Sequence, residues 1–256
     1  MKVVILAGGM GTRISEESHL RPKPMIEIGG LPIIWHIMKY YSWWGFKDFI
    51  ICAGYKSYSI KEYFSNFLLH SNEVYLDFSS NKIEARGGGI EDWRVQIVDT
   101  GLHTQTGGRL RRIRHLLEGQ TFCLTYGDGL CDVNIRELVD FHRKHGKLAT
   151  VTAVQPPARF GALTFDGDAV ASFDEKPLGD GQWINGGFFV LESGALTGLE
   201  GDDTAWEHRP MKSLAEAGQL MARRHEGFWA AMDTMRDRTV LEKLWADGVA
   251  PWNVWK

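Results

Sequence analysis

The sequence predicts an α/β fold built on a mostly parallel sheet, and three observations predict it. Short, continuously apolar runs, Val3-Val4-Ile5-Leu6-Ala7 first among them, alternate with segments of helical period, the pattern of buried strands covered by helices. The first run passes directly into Gly8-Gly9-Met10-Gly11-Thr12-Arg13, a glycine-rich turn at the end of a strand. From Pro156 the alternation gives way to short strands and then to a helical end, so a small β-rich part follows a Rossmann-like core with flanking helices.

The elements follow in order. Pro32 stands where a helix begins, its fixed φ and missing N–H suiting a first turn, and the apolar residues of 33–41 recur at helical spacing until Gly45 ends the segment. Residues 48–53 read as the next buried strand, and 57–70 as a helix with Ile60, Tyr63, Phe64, Phe67 and Leu68 on one face. Strands are expected at 74–78 and 94–99, separated by an irregular insertion, 79–92, that contains Gly87-Gly88-Gly89. Gly107-Gly108-Arg109-Leu110 opens a basic helix, and 120–126 is a strand ending in Gly127-Asp128-Gly129. Asn134 caps a helix running through His145, and 149–154 is a further strand. Beyond lie strands at 160–165, 170–173 and 184–191, a helix at 234–246 and an aromatic tail, Pro251-Trp252-Asn253-Val254-Trp255.

A chain of 256 residues can bury a sizeable core, and 24% charged with 44% hydrophobic residues is ordinary globular composition. With a net charge of -3 no general field draws nucleic acid or an anionic membrane, so any anion must be held locally. No stretch interleaves basic and aromatic residues as a single-strand binder would. Cys52, Cys123 and Cys131 form no C-x-x-C pair, and Cys52 and Cys123 lie inside apolar runs as small core residues. Buried thiols in odd number point to a reducing compartment. The start is too short in apolar residues for a signal peptide and no run is long enough to span a bilayer, so the expected location is cytoplasmic.

The chemistry gathers around the first strand. A glycine loop lets backbone N–H groups approach phosphate oxygens with no side chain between, and Arg13 adds a fork of donors. Pro22-Lys23-Pro24 holds a second cation in a stiff segment. The loop is neither G-x-x-x-x-G-K-[ST] nor G-x-G-x-x-G, so it is neither a P-loop nor a dinucleotide fingerprint. Asp128, between glycines at a strand end, suits Mg²⁺, a hard cation that takes few carboxylates together with phosphate oxygens. Asp233, just before a helix, reads by spacing as its N-cap and gains a metal role only if Asp128 is its partner. Glu175-Lys176-Pro177 repeats the proline-held lysine. Arg109, at a helix start, is placed to read the acceptor edge of cytosine or else belongs to a solvated basic face with Arg111, Arg112 and Arg114.

Together these motifs resemble the sugar-1-phosphate nucleotidylyltransferases. The likeness runs through Leu6-Ala7-Gly8-Gly9, Pro22-Lys23-Pro24-Met25, Trp35-His36-Ile37-Met38, Thr106-Gly107-Gly108-Arg109 and Tyr126-Gly127-Asp128-Gly129. It continues in Arg159-Phe160-Gly161, Ile184-Asn185-Gly186-Gly187 and Met232-Asp233-Thr234. It spans nearly the whole chain and is nearest to the members that use CTP and glucose 1-phosphate. The resemblance implies a nucleotidyltransferase fold and the reaction of CTP with α-D-glucose 1-phosphate to give CDP-glucose and pyrophosphate, by in-line attack at the α-phosphorus. It implies one domain, 1–256, with a nucleotide-binding half at 1–155 and a sugar-binding half and oligomerisation tail at 156–256. Leu6, Gly8, Gly9, Gly11, Thr12, Arg13, Lys23, Thr106, Gly107 and Arg109 would hold the nucleotide, Arg13 and Lys23 being catalytic. Tyr126, Gly161, Glu175, Lys176 and Asn185 would hold the sugar phosphate, and Asp128 with Asp233 would hold Mg²⁺. A homo-oligomer, a hexamer, is also implied, with the aromatic tail given a partner surface. The residues themselves leave open another sugar 1-phosphate, UTP or dTTP in place of CTP, and a sugar-nucleotide sensor without catalysis.

Overall fold

The computed structural model describes residues 1–11, 14, 19–87, 91–156, 162–174 and 182–255. The chain opens with β1 (Lys2–Ala7), the short pair β2 (Glu27–Ile28) and β3 (Leu31–Pro32), helix α1 (Ile33–Trp43) and β4 (Asp48–Ala53). Two short helices follow, α2 (Ser57–Ser65) and α3 (Phe67–Ser71), then β5 (Glu73–Asp77), β6 (Lys82–Arg86), β7 (Arg94–Asp99) and α4 (Thr106–Ile113). Next come β8 (Thr121–Tyr126), β9 (Gly129–Cys131), α5 (Ile135–His145), β10 (Ala149–Val154), β11 (Ala162–Asp166) and β12 (Ala169–Asp174). The remainder is β13 (Ile184–Asn185), β14 (Phe189–Glu192), α6 (Arg209–Glu216), β15 (Leu220–His225), β16 (Trp229–Ala231) and α7 (Met235–Ala246).

An eight-stranded sheet runs in the order β13-β10-β14-β8-β1-β4-β7, with β15 along the other edge of β10. The pairs β8–β1, β1–β4, β4–β7 and β10–β15 are parallel, whereas β14 is antiparallel to both β8 and β10. Strands from both sides of residue 155 therefore share one sheet.

The continuous apolar runs have a plain cause. Side chains alternate across a strand, so Val3 and Ile5 of β1 with Phe49 and Ile51 of β4 face one layer of core, and Val4 and Leu6 with Ile50 and Cys52 face the other. Ile33, Ile34, Ile37 and Met38 of α1 and Leu241 of α7 cover the first layer. Leu110 and Ile113 of α4, Leu214 of α6 and the buried Trp206 cover the second.

Three local expectations need correction. The helix expected over 57–70 is two helices, broken at Asn66 (φ -100, ψ 13). The insertion at 79–92 contains a strand, β6, paired in hairpin register with β5 through a turn at Asn81 (φ 54), because Lys82-Ile83-Glu84-Ala85 continues an alternation. The strand over 184–191 is interrupted by left-handed backbone at Gly187 (φ 75) and Phe188 (φ 46), which separates β13 from β14. The aromatic tail packs on its own chain. Trp252 is fully buried against His36, Trp245 and Phe228 of its own chain, and Trp255 packs edge-on against Trp35. No helix among the described residues is long and apolar enough to cross a membrane.

Candidate active site

Strand β1 lies between β8 and β4; the connection from β1 to β4 carries α1 on the first core layer, whereas that from β7 to β8 carries α4 on the second. That reversal opens a crevice at the carboxyl ends of parallel strands, where ligands of open α/β sheets bind. A cavity of about 500 Å³ occupies this position. Leu6, Ala7, Gly8, Gly9 and Gly11 wall it from β1 and the glycine loop, Tyr126, Gly127 and Asp128 from β8, and Thr104, Gln105, Thr106 and Arg109 from the start of α4. Lys23, Pro24 and Asp233 complete it.

The loop is shaped by Arg109. This arginine is 4% exposed, unlike the neighbouring Arg112 and Arg114, so it does not belong to a solvated basic face. Its Nη1 donates to Thr100 Oγ1 (2.7 Å), the Gly101 carbonyl (2.8 Å) and the Ala53 carbonyl (3.2 Å), and Nη2 donates to the Gly8 carbonyl (2.9 Å). One guanidinium thus ties together the ends of β1 and β4 and the β7–α4 connection. A Cβ on Gly8 would meet Nη1 at 2.1 Å and one on Gly54 at 2.5 Å, so these two positions are glycine because the guanidinium packs directly on the backbone. The side chain expected to read a base edge is, by these bonds, the brace of the glycine loop.

Lys23 and two aspartates form the charged centre. Lys23 begins a single 3-10 turn, Lys23–Met25, between Pro22 and Pro24, which aims its side chain inward. Its Nζ donates to Asp128 Oδ2 at 2.5 Å and to Asp233 Oδ1 at 2.6 Å. Burial pushes the ammonium down, but the charges and hydrogen bonds of Asp128 and Asp233 outweigh it and leave the pKa raised, so the group stays protonated. The backbone explains the convergence. β9 and β16 pair antiparallel, Gly129 opposite Ala231, and Met232 N donates to the Asp128 carbonyl at 2.9 Å, so the two aspartates leave one end of a two-stranded ribbon together. Asp233 is not the N-cap that spacing alone suggested. Thr234 takes that place in a capping box with Asp237, and Asp233 is turned toward Lys23. Two carboxylates already converged on one positive centre fit a hard divalent cation, which accepts oxygen donors of this kind.

A second polar group borders the cavity. Tyr126 Oη donates to Glu207 Oε1 at 2.8 Å, Thr106 Oγ1 donates to Glu207 Oε2 at 2.6 Å, and Asn185 Nδ2 donates to Tyr126 Oη at 3.1 Å. Burial and the Glu207 charge keep the Tyr126 phenol well above its ordinary pKa, so it remains a donor. Glu207 therefore links the start of α4 to the end of β8 and, through Tyr126, to β13.

The structure brings Leu6, Gly8, Gly9, Gly11, Lys23, Thr106, Arg109, Tyr126, Asp128 and Asp233 to one cavity, and places Asn185 one hydrogen bond away. It does not bring Gly107 there; a Cβ on Gly107 would meet the Thr204 carbonyl at 2.8 Å, so this glycine permits helix α4 to pack on the 199–204 segment. Thr12, Arg13, Gly161, Glu175 and Lys176 lie outside the described residues. Sequence reasoning missed Thr104, Gln105 and Glu207. The first two adjoin the Thr106-Gly107-Gly108-Arg109 motif, a usable signal, whereas Glu207 sits in Trp206-Glu207-His208 with nothing local to mark it.

Comparison with known proteins gives the family and the fold. The family model described as Nucleotidyl transferase matches residues 2–247. The chain is 53% identical to a glucose-1-phosphate cytidylyltransferase of Salmonella typhi over 257 aligned residues, covering 100% of both chains. It is 42% identical over 256 residues to a protein of Bacillus subtilis named as a probable glucose-1-phosphate cytidylyltransferase, again covering 100% of both. The crystal structure of HddC from Yersinia pseudotuberculosis superposes with a TM-score of 0.69 at 23% identity, over 95% of this chain and 99% of that one, which is a likeness of fold.

Proposed function

Because the chain belongs to the nucleotidyl transferase family, we propose that it transfers a cytidylyl group from CTP to glucose 1-phosphate, releasing pyrophosphate and forming CDP-glucose. The observation that carries the reading is Lys23 set between Asp128 and Asp233 in the lining of a cavity also walled by a bare glycine loop. The choice of CTP and of glucose 1-phosphate is supported by the 53% identical relative, whose name states glucose 1-phosphate and a cytidylyl group.

Phosphoryl-type transfer needs positioning and charge neutralisation more than covalent help. The backbone of Gly8, Gly9 and Gly11 would lie along the phosphate chain, with Arg109 holding the loop in place from behind. Lys23 would neutralise charge on the triphosphate and on the leaving pyrophosphate, a role proposed for Arg13 as well. Asp128 and Asp233 would hold a divalent cation, Mg²⁺ by the chemistry of the donors; when bound it draws charge from the phosphate oxygens. Tyr126 and Asn185, oriented through Glu207, would face the sugar phosphate, together with Gly161, Glu175 and Lys176. The sugar phosphate oxygen would attack the α-phosphorus in line as pyrophosphate departs.

We place the protein in a reducing, cytoplasmic setting, a reading supported by three buried free thiols. A homo-oligomer, a hexamer in the proposed form, is supported by exposed apolar residues on the β5–β6 hairpin, where Phe78 is 89% exposed and Ile83 64%. Pyrophosphate release should be measured with Mg²⁺ over CTP, UTP and dTTP crossed with several sugar 1-phosphates. Turnover should be well above the rest for CTP with glucose 1-phosphate; equal turnover of the three nucleotides would overturn the cytidylyl assignment.

A further inference from the structure

The β9–β16 ribbon has two ends. One carries Asp128 and Asp233; at the other Cys131 stands opposite Trp229, Asp132 follows, and His225 at the end of β15 reaches across. We infer that Cys131, Asp132 and His225 form a second metal site, for a divalent transition ion of zinc-like softness, separate from the catalytic pair. The three candidate ligand atoms lie within 4.8 Å of one another. His225 Nε2 is already 2.8 Å from Asp132 Oδ1.

Two further features favour coordination. The Val133 backbone N–H donates to Cys131 Sγ at 3.4 Å, a bond that stabilises negative charge on sulfur once the thiol proton has left. Gly227 closes over the pair so tightly that a Cβ there would meet Asp132 Oδ1 at 2.5 Å and His225 Nε2 at 2.9 Å, so that turn has no room for a side chain. Cys131 is buried, while the side chains of Asp132 and His225 are 31% and 14% exposed, so an ion can enter from the solvent side. A tetrahedral ion holds its ligands about 2.0–2.3 Å away, which asks roughly an ångström of side-chain rotation here. On binding, a metal–sulfur bond forms, the S–H bond breaks and its proton passes to solvent, with no change of oxidation state.

The donor sets sort the ions. One thiolate, one imidazole and one carboxylate select a borderline-soft ion, whereas the two carboxylates at the opposite end select a hard one. A metal at the far end would pin the strand pair that aims Asp128 and Asp233, so the two sites would communicate through three residues of paired backbone.

Cobalt(II) is the probe. The reduced full-length protein should take up one Co²⁺ showing a near-ultraviolet thiolate-to-cobalt charge-transfer band, with a rise in melting temperature. Asp128→Asn should keep that band, since oxygen ligands do not produce it, whereas Cys131→Ala should abolish it. Asp132→Asn and His225→Asn retain the thiol and should weaken Co²⁺ binding by roughly 10- to 100-fold or more. Zn²⁺ should displace the colour and Mg²⁺ should not. Absence of the band, its survival in Cys131→Ala, or unaltered affinity in His225→Asn would each overturn the site and leave an ordinary His–Asp hydrogen bond beside a core cysteine.

Discussion

At the residue scale the charged centre is a balance between one ammonium and two carboxylates. Lys23 is 11% exposed at its side chain, and Asp128 and Asp233 are 27% and 26% exposed, so the charges are close together and only partly solvated. Removing the ammonium leaves two like charges facing each other, and any cation offered in its place binds more tightly. Lys23→Met should therefore strengthen Mn²⁺ binding, read by titration calorimetry, while pyrophosphate release falls by at least about 100-fold, the scale of losing a positioned charge-stabilising donor. Weaker Mn²⁺ binding in that variant would show that Lys23 does not share its position with the ion. Glu207 makes a different argument. Its carboxylate accepts from Tyr126 and Thr106, while Tyr126 Oη already accepts from Asn185 and Thr106 Oγ1 already accepts from Trp206 N. An amide offers one acceptor where two are needed, so Glu207→Gln leaves a hydroxyl unpaired at about 1–3 kcal/mol. The expected result is a fall in kcat/KM for both substrates in a properly folded enzyme; unchanged kinetics would remove Glu207 from the machinery.

At the element scale, caps and short turns aim the functional groups. Thr234 accepts from Asp237 N while Asp237 bonds back to the backbone N–H groups of Thr234 and Asp233, so the start of α7 and the direction of Asp233 are set by one motif. Thr234→Ala should lower stability by about 1 kcal/mol in urea unfolding, and should also weaken divalent-ion binding because Asp233 loses its fixed departure angle. A stability loss with unchanged ion binding would separate the cap from the site. The same element shows where sequence reading succeeds and fails. β1, β4, β8 and β10 were legible because each is buried on both faces, leaving an unbroken apolar run, and α5 because Asn134 and Gly146 punctuate it. Asp233 was misread from spacing because Asp233 and Thr234 are both good caps; the capping box with Asp237 gives the place to Thr234, and Asp233 turns to Lys23. β9, β15, β16 and α6 were not identified. The first and third are three residues each, too short for any period, and β15 (Leu220–His225) carries two arginines and a histidine that hide a sheet position held by pairing with β10. Glu207 was invisible because its role depends on Thr106 and Tyr126, which are 101 and 81 residues away.

At the scale of the whole molecule, the C-terminal segment is joined to the first helix through His36, and this gives the fold a pH dependence. His36 Nε2 contacts the Ile28 carbonyl at 2.8 Å, which can only accept, so Nε2 carries the proton. Trp252 Nε1, which can only donate, lies 3.4 Å from Nδ1, so that nitrogen is the bare one. The ring is fully buried and in edge contact with Trp35, Trp245 and Trp252. Adding a proton at Nδ1 would charge a desolvated ring and set one N–H against another. Burial accordingly lowers the His36 pKa from 6.5 to about 4, more than its backbone hydrogen bonds raise it. Above pH 6.5 the ring is neutral in folded and unfolded chains alike and contributes no pH dependence. As pH falls toward 4 the unfolded chain takes up a proton that the folded chain refuses, so stability declines across that window by about 3 kcal/mol and levels off below it. Equilibrium unfolding followed by tryptophan fluorescence between pH 7 and 4 should show this slope, and His36→Gln, which can keep both bonds without titrating, should flatten it. If the variant kept the full slope, the acid sensitivity would belong to other groups and the tail would not be held to α1 by a neutral imidazole.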